Sequence, residues 1–155
     1  MTNPVEMTSE RARELVQLLD GSGSDAEWKA VEQLRVLGQR LPSLLLERFR
    51  SARRWQARSS CVYHSFRYAT ESEDALKLGL EAIRDRANLV RYRGAMLLAY
   101  SQRMDALPEM ERALREIDRG KSADDIAAAI DAIRNRNHNW FVDRNHSGKV
   151  TMTLT

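Results

Sequence analysis

An all-α chain, stacked as antiparallel helix pairs and closed by a short β-hairpin, is the fold this sequence predicts. Three observations predict it. Apolar residues recur at helical spacing as far as about residue 137. Helix starts fall into two interleaved series, near 8, 42, 72 and 105 and near 25, 54, 88 and 122, each advancing by about 30–34 residues. After Trp140 the helical pattern gives way to β-prone runs.

The elements follow in order. Leu15, Val16, Leu18 and Leu19 mark a first helix over 8–20. Asp20 to Ser24 is a loop. Ser24 with Glu27 makes a capping box, and Trp28, Val31, Leu34 and Leu37 stripe a second helix over 25–38. Gly38 and Pro42 bracket the break, and Pro42 suits a first helical turn, where its missing N–H costs nothing. Leu44, Leu45 and Phe49 carry a third helix. Trp55, Cys61, Val62 and Phe66 carry a fourth over 53–69. Thr70 with Glu73 caps a fifth, striped by Leu76, Leu80 and Ile83. Asn88 caps a sixth, with Leu89, Tyr92, Met96 and Ala99 on one face. Leu107, Met110, Leu114 and Ile117 stripe a seventh, ended by Gly120. Ser122 and Asp125 open an eighth, with Ile126, Ala129, Ile130 and Ile133 as its buried face. The pairs are 8–38, 42–69, 72–102 and 105–136, in one domain over 1–155. Trp140-Phe141-Val142 and Val150 to Leu154, joined by turn residues, read as a hairpin over 140–154 that caps the last pair.

Composition bounds the function classes. The chain is 43% hydrophobic and 30% charged, with a formal net charge of +3. That is an ordinary globular balance rather than a disordered one. Cys61 is the only cysteine, so neither an internal disulfide nor a multi-thiolate metal site is available, and a reducing compartment fits. Met1 to Glu10 lack the basic start and apolar run of a secretion signal, and no apolar stretch is long enough to span a bilayer. The expected location is cytoplasmic, away from membranes.

Catalytic motifs are missing. Gly21-Ser22-Gly23 lies between two helices and reads as a flexible connector rather than a phosphate loop. Cys61 and His64 share a helix face, but Cys61 sits among apolar and small residues, where a buried inert thiol is expected. Asp143-x-Asn145-x-Ser147-Gly148 resembles the opening of a calcium-binding EF-hand loop. Its twelfth position is Leu154 rather than Glu, and Arg144, His146 and Lys149 bring positive charge, so a turn held by side-chain hydrogen bonds is the favoured reading. His138, Asp143 and His146 make a thin metal trio. The expectation is no catalytic residue, no cofactor and no metal.

Leu89-Val90-Arg91-Tyr92-Arg93-Gly94-Ala95-Met96-Leu97-Leu98-Ala99 resembles the second helix of a HEAT-like repeat, which opens with a Val-Arg pair and continues with small residues and Leu. The stretch around Arg58 is a weaker copy. The resemblance implies a small bacterial stand-alone member of the armadillo/HEAT class, a right-handed α-solenoid of about four pairs. It also implies that Arg58 and Arg91 bridge neighbouring repeats, and that binding rather than catalysis is the task.

Charge points to where binding would occur. Arg40, Arg48, Arg50, Arg53, Arg54, Arg58 and Arg67 lie between 40 and 67, opposed only by Glu47. The last pair is acidic by contrast. The partner-binding candidates are Arg54, Trp55, Arg58, Tyr63, Arg67, Arg91, Tyr92 and Arg93. Arginine and aromatic anchors of this kind suit a partner protein gripped on a concave face. An adaptor, or an immunity protein that inhibits a bacterial toxin, would be such a module. The alternative is a nucleic-acid binder of the HEAT-like DNA-repair glycosylase type, with arginine on phosphates and Trp55, Tyr63 or Tyr92 stacked on bases. A solvated, internally paired basic surface is the plain structural alternative to both.

Overall fold

The computed structural model describes residues 6–117 and 120–153. Eight α-helices run through the described residues: α1 (Ser9–Val16), α2 (Asp25–Leu34), α3 (Leu41–Ser51), α4 (Trp55–Ser65), α5 (Glu73–Ala82), α6 (Asn88–Ser101), α7 (Leu107–Glu116) and α8 (Lys121–Arg134). They form two layers. Each odd-numbered helix packs on the even-numbered helix that follows it. Within the layers α1 packs on α3 and α3 on α5, while α4 packs on α6 and α6 on α8. The core lies between the layers, with Leu15, Leu45, Leu78, Val90, Leu97, Leu98 and Ile133 fully enclosed. Burying each such side chain contributes about 1.5–3 kcal/mol.

The tightest seam joins α5 to α6. A Cβ on Gly94 would lie 2.6 Å from the Cβ of Ala82 and 3.0 Å from the backbone N of Ile83. From the other side, a Cβ on Gly79 would lie 2.8 Å from Leu97 Cδ2 and 3.0 Å from Leu98 Cδ2. Glycine at both places lets the two helices approach closely.

Local chemistry moves several helix starts. Ser24 accepts from the Glu27 amide as the capping box requires, but the Glu27 carboxylate does not return to Ser24. It accepts instead from the Gly21 and Gly23 amides and from the Ser60 hydroxyl. The glycine loop is therefore pinned rather than flexible, and the anion cradle made by its amides is already filled by Glu27. Gly21 sits so close to α4 that a Cβ would lie 2.3 Å from the Gln56 carbonyl oxygen. Ser72, not Thr70, caps α5, accepting from the Ala75 amide. Asn88 is the first residue of α6 rather than its cap, and its side chain accepts from Arg91. Gly120 stands at the start of α8, with φ 146°, rather than closing α7, which ends at Glu116. Ser122 and Asp125 lie inside α8, where Ser122 accepts from Arg91 and Asp125 is buried against Arg144.

The expected C-terminal β-hairpin does not form: no strand occurs among the described residues. The chain is all-α, with a 3-10 turn at His138–Phe141 followed by an irregular loop. Asn137 accepts from the Asn139 amide and winds the would-be first strand into that turn. Asp143 then gathers the Ser147 amide, the Ser147 hydroxyl and the Gly148 amide onto one carboxylate. The returning segment is held by a side chain rather than by a ladder, as the Met152 amide donates to Asn139 Oδ1 at 2.8 Å. Phe141 fills the space at the end of the stack that the hairpin was expected to cover, and packs on Tyr92. Leu154, the far end of the expected hairpin, lies outside the described residues. No helix of the described residues is long and apolar enough to cross a membrane.

Candidate functional site

Three groups of arginines stand out by what they touch. The first group ties the odd-numbered layer together. Arg13 of α1 meets Glu47 of α3 at 3.6 Å, Arg50 of α3 meets Glu81 of α5 at 2.7 Å, and Arg84, just after α5, meets Glu116 of α7. All six side chains are well exposed. Each link joins consecutive odd-numbered helices and runs in one direction.

The second group lies inside the stack. Arg58 holds the fourth place in α4, and Arg91 the fourth place in α6. Arg58 donates to both oxygens of Asp85, at 2.8 and 3.0 Å, and to the carbonyls of Ala52 and Arg53 before its own helix. Arg91 donates to the Asp85 carbonyl before its own helix and to the Ser122 hydroxyl of α8. Both therefore clamp the preceding loop and reach into the next pair. Arg58 is 5% exposed and offers a partner nothing.

The third group consists of Arg35, Arg67 and Arg93. They converge on a pocket of about 410 Å³ between α2, α4 and α6, whose walls are Val31, Leu41, Phe66 and Met96, with Tyr63, His64, Tyr68 and Thr153 completing it. Among the described residues none of the three has a carboxylate partner. Arg35 and Arg67 follow the last turns of α2 and α4, where the negative ends of the helix dipoles favour a cation. Arg93 lies over the Tyr63 ring, 5.3 Å from its centroid. Trp28, Tyr63 and His64 meet edge to face, with centroids 6.4 Å apart for Trp28–Tyr63, 5.5 Å for Trp28–His64 and 5.0 Å for Tyr63–His64. Burial, then the charges of Arg35, Arg93 and Arg67, push His64 down to about 4. The imidazole is therefore neutral at ordinary pH, beside three guanidinium groups.

The expected partner-binding residues are not brought to one place. Tyr63, Arg67 and Arg93 share the pocket. Arg54 and Trp55 are exposed at the start of α4. Arg91 and Tyr92 line a separate hollow of about 790 Å³ between α6 and the last pair. That hollow is larger, but its arginines are already engaged: Arg84 pairs with Glu116, and Arg91 donates to Asn88, Ser122 and the Asp85 carbonyl. Arg35 and His64 were missing from the candidates. A sequence signal for Arg35 existed, since Leu34-Arg35 and Phe66-Arg67 recur after consecutive even-numbered helices.

The residues weighed for catalysis and metal binding have other tasks. Burial pushes the Cys61 thiol up to about 12, with Arg48 opposing and Glu27 reinforcing the change, so the thiolate nucleophile is withheld. Asp143 spends its carboxylate on its own loop. His146 stacks on Trp140 and meets Asp131, while His138 packs on Tyr100. Among the described residues no group of three or more His, Cys, Asp or Glu side chains is placed to hold a metal ion.

No family model matches the chain, and no curated protein matches it either.

Proposed function

We propose that this chain is a non-enzymatic binding module that takes an acidic partner protein on the face formed by α2, α4 and α6. One observation carries the reading. Arg35, Arg67 and Arg93 converge on one pocket beside Trp28 and Tyr63 with no carboxylate partner among the described residues, whereas Arg13, Arg50, Arg58 and Arg84 are each paired with a carboxylate within the stack. Cations gathered in this way steer an acidic partner, and arginine and aromatic side chains are the residue types that anchor interfaces. The repeated clamp of Arg58 and Arg91 supports membership of the HEAT-like class. A stand-alone module of this class suits an adaptor or an immunity protein for a bacterial toxin, working in a reducing cytoplasm where the lone Cys61 stays a thiol.

The test uses a photo-crosslinking amino acid at Tyr63 or Arg67, with Lys77 on α5 as the outer-layer control, in lysate of the source cell. A single stoichiometric protein should crosslink from the first two positions and not from Lys77. It should vanish with Arg67→Glu and Arg93→Glu. Salt-sensitive retention of duplex DNA without any crosslinked protein would overturn this reading in favour of nucleic acid.

A further inference from the structure

We propose that the pocket between α2, α4 and α6 is a binding site for a small amphipathic organic anion: an apolar body carrying a single carboxylate or phosphate head. This goes beyond the protein-binding reading and stands whether or not a protein covers the surrounding face.

The walls specify the body. Val31, Leu41, Phe66 and Met96 give the pocket an apolar lining, and its volume of about 410 Å³ falls within the range of small-ligand sites. A bare inorganic ion would leave that lining unused. The rim specifies the head. Three guanidinium groups face the pocket, and among the described residues no Asp or Glu lines it. Low-dielectric walls focus the field of those cations on whatever enters. A cationic ligand would be repelled, and a neutral one would leave the arginines uncompensated. Guanidinium groups match a carboxylate or phosphate head by forked hydrogen bonding.

His64 supplies an internal reporter. It lies in the pocket wall, and Arg35, Arg67 and Arg93 all disfavour its protonation. An anion seated among the three arginines offsets their charge and makes His64 easier to protonate. That response requires the anion at this place and would not follow from binding elsewhere.

The experiment titrates the full chain with four probes sharing one tail: octanoate, octyl phosphate, 1-octanol and octylammonium, each below its micelle concentration. NMR follows the Met96 methyl and the His64 ring. The anions should saturate, shift both signals and raise the pH at which His64 titrates. The alcohol and the ammonium should bind at least about tenfold more weakly, the value of roughly one charge-assisted hydrogen bond. Arg67→Gln and Arg93→Gln should each weaken the anions by about the same factor and leave octanol unchanged. Met96→Trp, which fills the pocket, should abolish the shifts. The better of the two anionic heads identifies the natural one. Equal binding of octanol and octanoate would overturn the proposal. So would anion-induced shifts around exposed Trp55 and Leu89 with none at His64.

Discussion

Arg58 and Asp85 form a two-pronged ion pair in the interior of the stack, with side chains 6% and 8% exposed. Such a pair gains little against an apolar substitute, because both ions give up water to form it. Removing one partner is different, since the other charge is then stranded. Arg58→Met should therefore cost about 3–5 kcal/mol in urea denaturation. Asp85→Asn should cost about as much, because Arg58 cannot shed its charge and one of its two acceptor oxygens becomes an NH2 donor. The double variant Arg58→Met/Asp85→Leu should recover only part of the loss, because Arg58 also satisfies the Ala52 and Arg53 carbonyls. Full recovery would show that those two bonds contribute nothing.

The α5–α6 seam predicts an asymmetry between its two glycines. Alanine at Gly79 meets side-chain atoms, the Cδ2 methyls of Leu97 and Leu98 and the Leu98 Cγ, which a small rotation can move, and it gains about 1 kcal/mol in helix propensity. Alanine at Gly94 meets the Ala82 Cβ and the Ile83 backbone, neither of which can swing away. Gly79→Ala should leave the thermal midpoint nearly unchanged. Gly94→Ala should destabilise by about 1–3 kcal/mol, the usual cost of overpacking. Equal effects at the two sites would contradict the close approach.

His64 makes stability depend on pH in a defined window. Burial and the neighbouring arginines push it from 6.5 down to about 4. The unfolded chain takes up a proton near the higher value, while the folded chain resists it until the lower one. Stability from this group is therefore intact above the unfolded value and falls as the pH drops from 6.5 to about 4. The full loss amounts to about 3 kcal/mol at 1.36 kcal/mol per unit. His64→Phe should flatten that slope in denaturation midpoints measured across the window. An unchanged slope would place the acid sensitivity elsewhere.

Asp143 predicts a local effect. Hydrogen bonds, the one from the Ser147 hydroxyl first, hold its carboxyl below the usual carboxylate range. The loop clamp therefore persists at pH values where ordinary carboxylates have protonated. Asp143→Ala should release the Ser147 and Gly148 amides to fast hydrogen exchange while protection in α4 and α6 stays as before. Continued protection of those two amides would remove Asp143 from its assigned role.

The helices were legible because their burial follows a 3.6-residue period, as in Leu15, Val16 and Leu19 or Ile126, Ala129, Ile130 and Ile133. Their starts were less legible, because serine and asparagine are common near helix ends and neighbours decide which one caps. Thr70 and Ser72 are both placed to open the same helix, and only the path of the chain chooses Ser72, which accepts from the Ala75 amide. The hairpin failed for a related reason. Trp140-Phe141-Val142 has strand propensity, but the Asn137 turn and the burial of Phe141 override it. Tyr63, Arg67 and Arg93 could be named as candidates, but Arg58 stood beside them although the repeat resemblance already implied a bridging role for it, and its guanidinium is spent in the interior. Partnership across helices distinguishes them, and that is a property of the packed stack.

The outer ladder has its own signature, Glu-x-x-Arg, at Glu10/Arg13, Glu47/Arg50 and Glu81/Arg84. Each middle pair offers a glutamate to the helix before it and an arginine to the helix after it. Exposed links of this kind contribute little energy, about 0–1 kcal/mol each. Their direction matters more than their strength. Because every link reads the same way, a pair duplicated or deleted within the stack would still meet opposite charge on both sides. The ladder works as a common coupling, and it leaves this chain free to lengthen or shorten by whole pairs.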